Sequence, residues 1–102
     1  MNHTKKTPEI SILKIIEKAG AAQAILLIYN NRDLPEFSYT NLIEGVDASM
    51  KTVCSLILYL EKQGLMTEQK IRGFPNKRLF KLTPKGLAVG PQLAIISKVL
   101  QS

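Results

Sequence analysis

The sequence predicts a mainly α domain with one small β-hairpin, an α+β class. The first observation is FSYTNLIEGVDASMKTVCSLILYLEKQGLM at 37–66, which reads as a short helix, a tight turn and a longer helix that stops at glycine. The second is a change of period after Gly64, where two strand-like runs flank a turn holding glycine, proline and asparagine together. The third is an apolar stripe on each terminal segment, wider than one small core uses. At 102 residues the chain is one small domain, long enough to bury roughly 60–70% of the surface its unfolded form exposes.

Taken in order, residues 1–8 are expected as a disordered tail and 9–102 as a single domain. Thr7 and Pro8 supply a cap and a first-turn proline for a helix. Its stretch from Glu9 to Lys18 is apolar at Ile10, Ile12, Leu13, Ile15 and Ile16, so part of it is expected to face another subunit. Ala19-Gly20 reads as a break. Ala21 to Tyr29, AAQAILLIY, is apolar on all sides and predicts a buried central helix, ended by the polar turn Asn30–Asp33. Leu34–Phe37 is extended, at most a very short strand. Tyr39–Glu44 is the short helix, with Leu42 and Ile43 apolar, and Gly45-Val46-Asp47 the turn. The longer helix begins near 48–51 with Asp47 or Ser49 as N-cap, since either side-chain oxygen can accept from a first-turn N–H. Val53, Ile57 and Leu60 recur at i, i+4 and i+7 on its inner face, and Cys54 is expected as a small core residue. Gln63-Gly64 closes it, because glycine adopts the left-handed conformation at little cost.

Leu65–Ile71 then reads as a strand, 72–77 as a turn and Arg78–Leu82 as a second strand, with Phe80 and Leu82 competing to set the register against Leu79. Thr83-Pro84 signals a helix start. Gly90-Pro91 is expected to interrupt that helix, with Pro91 opening a last segment on which Leu93, Ile96, Val99 and Leu100 lie at helical spacing. That apolar excess again points to a subunit contact.

Charge is unevenly placed. Residues 1–46 hold five basic and five acidic groups, whereas 47–102 hold nine basic and three acidic, which accounts for the whole formal charge of +6. Lys70, Arg72, Lys77, Arg78, Lys81 and Lys85 follow one another without an intervening acid, and a localised basic strip favours a polyanionic partner. No apolar run reaches the ~20 residues of a membrane span, and no signal-peptide pattern is evident. A lone cysteine forms no internal disulfide, which makes a reducing cytoplasm the expected location. Neither His3 nor Cys54 has a second histidine or cysteine to complete a metal site or nucleophile–base pair, and the glycines form no phosphate cradle. The expectation is therefore no enzyme and no cofactor.

The order helix, helix, helix-turn-helix, hairpin, terminal helix resembles winged-helix transcription regulators of the MarR and HxlR type. AILLIYNNRDLPEFSYTNL at 24–42 is similar to the buried helix that leads into their motif, LEKQGLM at 60–66 to the end of their recognition helix, and RLFKLTPKG at 78–86 to their second wing strand and terminal-helix start. The resemblance covers about 21–93. It implies a winged helix-turn-helix, with the helix-turn-helix at about 38–63, the wing at about 65–82 and terminal helices at 84–101. It further implies a cytoplasmic homodimer, joined through N- and C-terminal helices, that binds double-stranded DNA with half-sites about 34–36 Å apart. The HxlR type commonly has a sensing cysteine near its N-terminus, which this chain lacks, so no thiol sensing is carried over. A small-molecule effector stays open.

On this reading the second helix of the motif presents Ser49, Lys51, Thr52, Ser55 and Tyr59 to DNA. Serine and threonine can donate to bases or phosphates, and Lys51 can reach a phosphate or guanine. Capping and solvation are the competing roles of the serine and threonine. Met50, Leu56 and Leu58 beside them make the face poor for base reading, which implies either modest specificity or apolar contacts to thymine methyls. Arg72, Lys77 and Arg78 of the hairpin fit phosphate or minor-groove contact, Asn76 fits a turn-former better than a base reader, and Phe74 fits packing on the strands better than an inserted wedge. Tyr39 and Thr40 stand where a phosphate could be held. The alternative reading is a winged helix used as a protein–protein adaptor. RNA is disfavoured, because no aromatic stacking surface falls on the expected strands.

Overall fold

The computed structural model describes residues 15, 17, 18, 20–73 and 76–101. The expected tail at 1–8, most of the helix from Glu9 to Lys18, and Phe74 lie outside them. Ile15 is helical and buried.

Helix α1, Ala21–Asn30, runs through the middle of the domain with Ala21, Ala24, Ile25 and Ile28 buried. It starts at Gly20, whose φ of 80° favours glycine and where a Cβ would stand 2.8 Å from Leu56 Cδ1. Asn31 ends it, donating from Nδ2 to the Leu27 carbonyl at 2.7 Å. Helix α2, Tyr39–Gly45, is opened by a capping box in which Ser38 Oγ accepts from the Asn41 N–H and Asn41 Oδ1 accepts from the Ser38 N–H. Its last residue, Gly45, lies against Leu27, so the turn glycine is also the close approach of α2 to α1.

Helix α3, Met50–Lys62, takes Ser49 rather than Asp47 as its cap, and it closes at Gln63 and Gly64 (φ 73°). It buries Val53, Leu56, Ile57 and Leu60. At roughly 1.5–3 kcal/mol for each such side chain taken out of water, this stripe fixes the helix to the core. Two expectations are corrected here. Leu56 is buried rather than outward, and Cys54 is exposed rather than in the core. Adding Leu56 to the stripe turns the helix so that position 54, ~100° on from Val53, falls outside it.

Strands β1, Met66–Ile71, and β2, Lys77–Leu82, form an antiparallel hairpin with Met66 opposite Leu82, Glu68 opposite Phe80 and Lys70 opposite Arg78. Phe80 and Leu82 share the buried face with Met66, and Leu79 takes the other. The extended segment before α2 touches β2 through a Ser38–Leu79 bridge and a Phe80 N–H bond to the Phe37 carbonyl.

Helix α4 is continuous over Pro84–Gln101 with Pro91 inside it, which corrects the expected break at Gly90-Pro91. The glycine serves packing instead. A Cβ on Gly90 would lie 2.6 Å from Tyr29 Cδ1, and one on Gly86, a turn earlier, 2.2 Å from the Leu65 carbonyl oxygen. Close docking along this small-residue face, with Leu93 buried, offsets the ladder bond that Pro91 cannot make. Thr83 caps α4 as expected, accepting from the Gly86 N–H while donating to the Gly64 carbonyl. Lys85 Nζ donates to the Gln63 carbonyl at 3.0 Å, so the first turn of α4 grips the end of α3. Among the described residues, no helix is long and apolar enough to cross a membrane.

Candidate nucleic-acid interface

The core stripe of α3 leaves Met50, Lys51, Cys54, Ser55, Leu58 and Lys62 exposed on its outer side. An open groove separates this side from the hairpin, lined by Cys54, Leu58 and Glu61 of α3 and by Glu68, Lys70 and Arg78 of the strands. The register explains the strand contribution. Glu68, Lys70 and Arg78 continue the sheet face that buries Met66, Phe80 and Leu82, beyond the end of the core.

Within that groove Arg78 is held from several sides. Its Nε donates to Glu68 Oε2 at 2.6 Å and its Nη2 to Glu68 Oε1 at 3.1 Å, while the guanidinium sits 4.7 Å from the centre of the Tyr39 ring. Only 7% of the Glu68 side chain is exposed, against 38% for Arg78. The Arg78 hydrogen bonds outweigh burial and hold the Glu68 carboxyl below its ordinary value, and the same bonds raise the guanidinium further. The Tyr39 hydroxyl lies 3.6 Å from Cys54 Sγ, a contact that pushes the phenol upward. Wing strand, first motif helix and α3 thus meet at Arg78, Tyr39 and Cys54.

The residues expected at the site fall into distinct positions. Lys51 and Ser55 are exposed on the outer side of α3, and Thr40 is exposed in the first turn of α2. Ser49 and Thr52 are engaged with each other, since Ser49 Oγ accepts from the Thr52 N–H and donates to Thr52 Oγ1 at 3.0 Å. Tyr59 lies on the flank, half-buried against the core with the Lys18 amine 5.5 Å from its ring. Asn76 forms the turn, accepting the Gly73 N–H at 3.0 Å. Lys77 pairs with Glu36 at 3.4 Å with both side chains about half exposed, and Arg72 makes no ion pair among the described residues.

Cys54 and Glu68 were absent from the site expected from sequence, whereas Leu58 was expected on this face as an apolar neighbour. The strand register carried the signal for Glu68, because pairing Met66 with Leu82 puts it on the same sheet face as Arg78. Among the described residues no cluster of histidine, cysteine, aspartate and glutamate is suited to a metal ion.

Neither protein-family models nor curated proteins match this chain. Solved structures do. A structure assigned to the MarR family of transcriptional regulators, from Porphyromonas gingivalis W83, superposes with a TM-score of 0.75 at 21% identity, over 100% of this chain and 97% of that one. The transcriptional regulator ytfH from Salmonella typhimurium gives 0.74 at 19% identity, covering 92% and 81%. Reduced YodB, a transcriptional regulator from B. subtilis, gives 0.70 at 18% identity, covering 92% and 90%. The helices and hairpin of this chain are the winged-helix fold of those proteins.

Proposed function

We propose that this chain is a cytoplasmic, non-catalytic transcription regulator that binds double-stranded DNA sequence-specifically as a homodimer. The observation that carries this reading is the groove between α3 and the hairpin, which sets the exposed side of the helix and the cationic strands on one surface. With α3 in the major groove, Lys51 and Ser55 reach base edges or phosphates. Lys70, Arg72 and Lys77 then follow the flanking phosphates or minor groove. Arg78 orients the wing, because its donors are committed to Glu68 and its plane to Tyr39. Ser49 and Thr52 act through the cap of α3 and Tyr39 as the platform under Arg78. Dimerisation uses the terminal helices, where Ile95 (64%) and Leu100 (80%) of α4 are exposed. The regulators that this fold resembles support the reading.

A protein–protein adaptor is the second reading, favoured by Met50 and Leu58, which are exposed on α3 at 62% and 69%. A salt titration separates the two. With about four phosphates neutralised per subunit, log affinity for duplex DNA falls against log salt with a slope of about −7 for the dimer. Alanine at Lys70, Arg72 and Lys77 flattens the slope by roughly 0.9 for each phosphate left without its cation. Absent or salt-insensitive binding to mixed duplex, followed by fluorescence anisotropy, would support the adaptor instead.

A further inference from the structure

Between positions 50 and 62, α3 contains no arginine, asparagine or glutamine. Those side chains make most bidentate contacts to guanine and adenine, so hydrogen-bond readout is thin here. What the helix offers outward is Met50 at 62% exposure, Leu58 at 69%, and Cys54 between them. At ~100° per residue the two large apolar side chains stand about 80° apart around the helix, Leu58 roughly opposite the buried stripe of Val53, Leu56, Ile57 and Leu60 and Met50 at the edge of that stripe, about 20° from Ile57. Lys51 and Lys62 border the Leu58 edge of this strip, Glu61 stands on its groove side and Lys70 faces it across the groove, so three cations surround it against one carboxylate. Cations bordering an apolar strip fit a ligand whose backbone is anionic and whose inner surface carries methyl groups. The major groove of A·T-containing duplex is such a ligand, because each thymine C5-methyl projects into it.

We infer that this chain reads its operator mainly through thymine methyl groups, with Met50 and Leu58 as the specificity-determining side chains. The inference rests on the DNA-binding reading above and names the half-site that reading requires. Met50 and Leu58 are about 12 Å apart along the axis at ~1.5 Å per residue, or roughly three to four base steps at ~3.4 Å each. Each half-site therefore holds two thymine positions at about that separation. Lys51, on the first turn of α3, meets a phosphate or a guanine beside the first of them.

The test uses the full chain and a duplex selected by it from a random pool. Thymines of the selected site are replaced one at a time by deoxyuridine, which lacks only the C5-methyl group, and affinity is read by anisotropy. Two replacements per half-site are expected to weaken binding about fourfold each, the value of burying one methyl-sized group. Met50→Ala and Leu58→Ala each remove the sensitivity at one of the two positions and bind the corresponding deoxyuridine duplex as tightly as the unaltered thymine duplex. Both positions are exposed, so the variants retain the fold, checked by circular dichroism. Tight binding with no methyl sensitivity, or sensitivity that survives in both variants, overturns the inference while leaving DNA binding intact. A change of association state in either variant, seen by sedimentation, would assign the strip to a second copy of the chain and also overturn it. Failure to recover any bound duplex removes both this inference and the reading beneath it.

Discussion

Replacing Arg78 by methionine keeps the length of its stem and removes the guanidinium that ties β2 to Glu68 and Tyr39. The Glu68 side chain is only 7% exposed, so it is left desolvated and without its partner, at a cost of about 1–3 kcal/mol. Arg78 itself is 38% exposed, and solvent screening holds the coupling of the pair to about 1–2 kcal/mol. With a urea m-value of ~1–1.5 kcal/mol/M for a chain of this size, the midpoint of unfolding falls by about 1–2 M. Combining Arg78→Met with Glu68→Gln recovers about 1–2 kcal/mol relative to the sum of the single changes, because no carboxylate is then stranded. Costs that add to within ~0.5 kcal/mol would refute the coupling. Acid adds a second arm. Arg78 lowers the Glu68 carboxyl in the folded chain, so its stabilisation is fully present above the unfolded value of about 4.3 and is lost as pH falls through the lowered folded value. The Glu68→Gln variant therefore shows a flatter decline in stability below about pH 4.3, and an unchanged decline contradicts the assignment.

Ser49→Ala removes the cap of α3 and lowers stability by about 1 kcal/mol in the same urea assay. Its salt slope on duplex stays that of the parent chain, whereas a phosphate-contacting Ser49 would lower it. Gly86→Ala places a Cβ 2.2 Å from the Leu65 carbonyl oxygen, backbone that has little room to yield. A loss of about 2–3 kcal/mol outweighs the helix-propensity gain of ~1 kcal/mol. Thermal unfolding should shift down by roughly 5–10 °C for the net change; an unchanged midpoint would mean that α4 does not seat so closely on Leu65.

What was legible in the sequence is chemistry that acts within a few residues. The Gly64 stop and the Thr83-Pro84 start each follow from one side chain and its own backbone, and both stand where the sequence placed them. The hairpin was legible for the same reason, since Gly73 and Asn76 close its turn locally. The cap of α3 was left between Asp47 and Ser49, and the structure has Ser49 in extended backbone accepting the Thr52 N–H. Properties that depend on a distant partner were not legible. The orientation of α3 turned on whether Leu56 joined Val53, Ile57 and Leu60, and its place is set by the residues around Gly20. The continuity of α4 through Pro91 depends on Tyr29 accepting a bare glycine at 90, some sixty residues away. Arg78 read as a free cation because its partner lies ten residues earlier on the facing strand, and only the register brings the two together.

Chemical-shift mapping of the full chain with a duplex tests most directly whether the outer side of α3 and the hairpin act together as one DNA-binding surface. The amides of Met50, Lys51, Cys54, Ser55 and Leu58 and those of Lys70, Arg72 and Lys77 should shift together at one stoichiometry, while those of Leu26 and Leu93 stay in place. Shifts confined to α4, or a hairpin that moves while the amides of α3 do not, would contradict it.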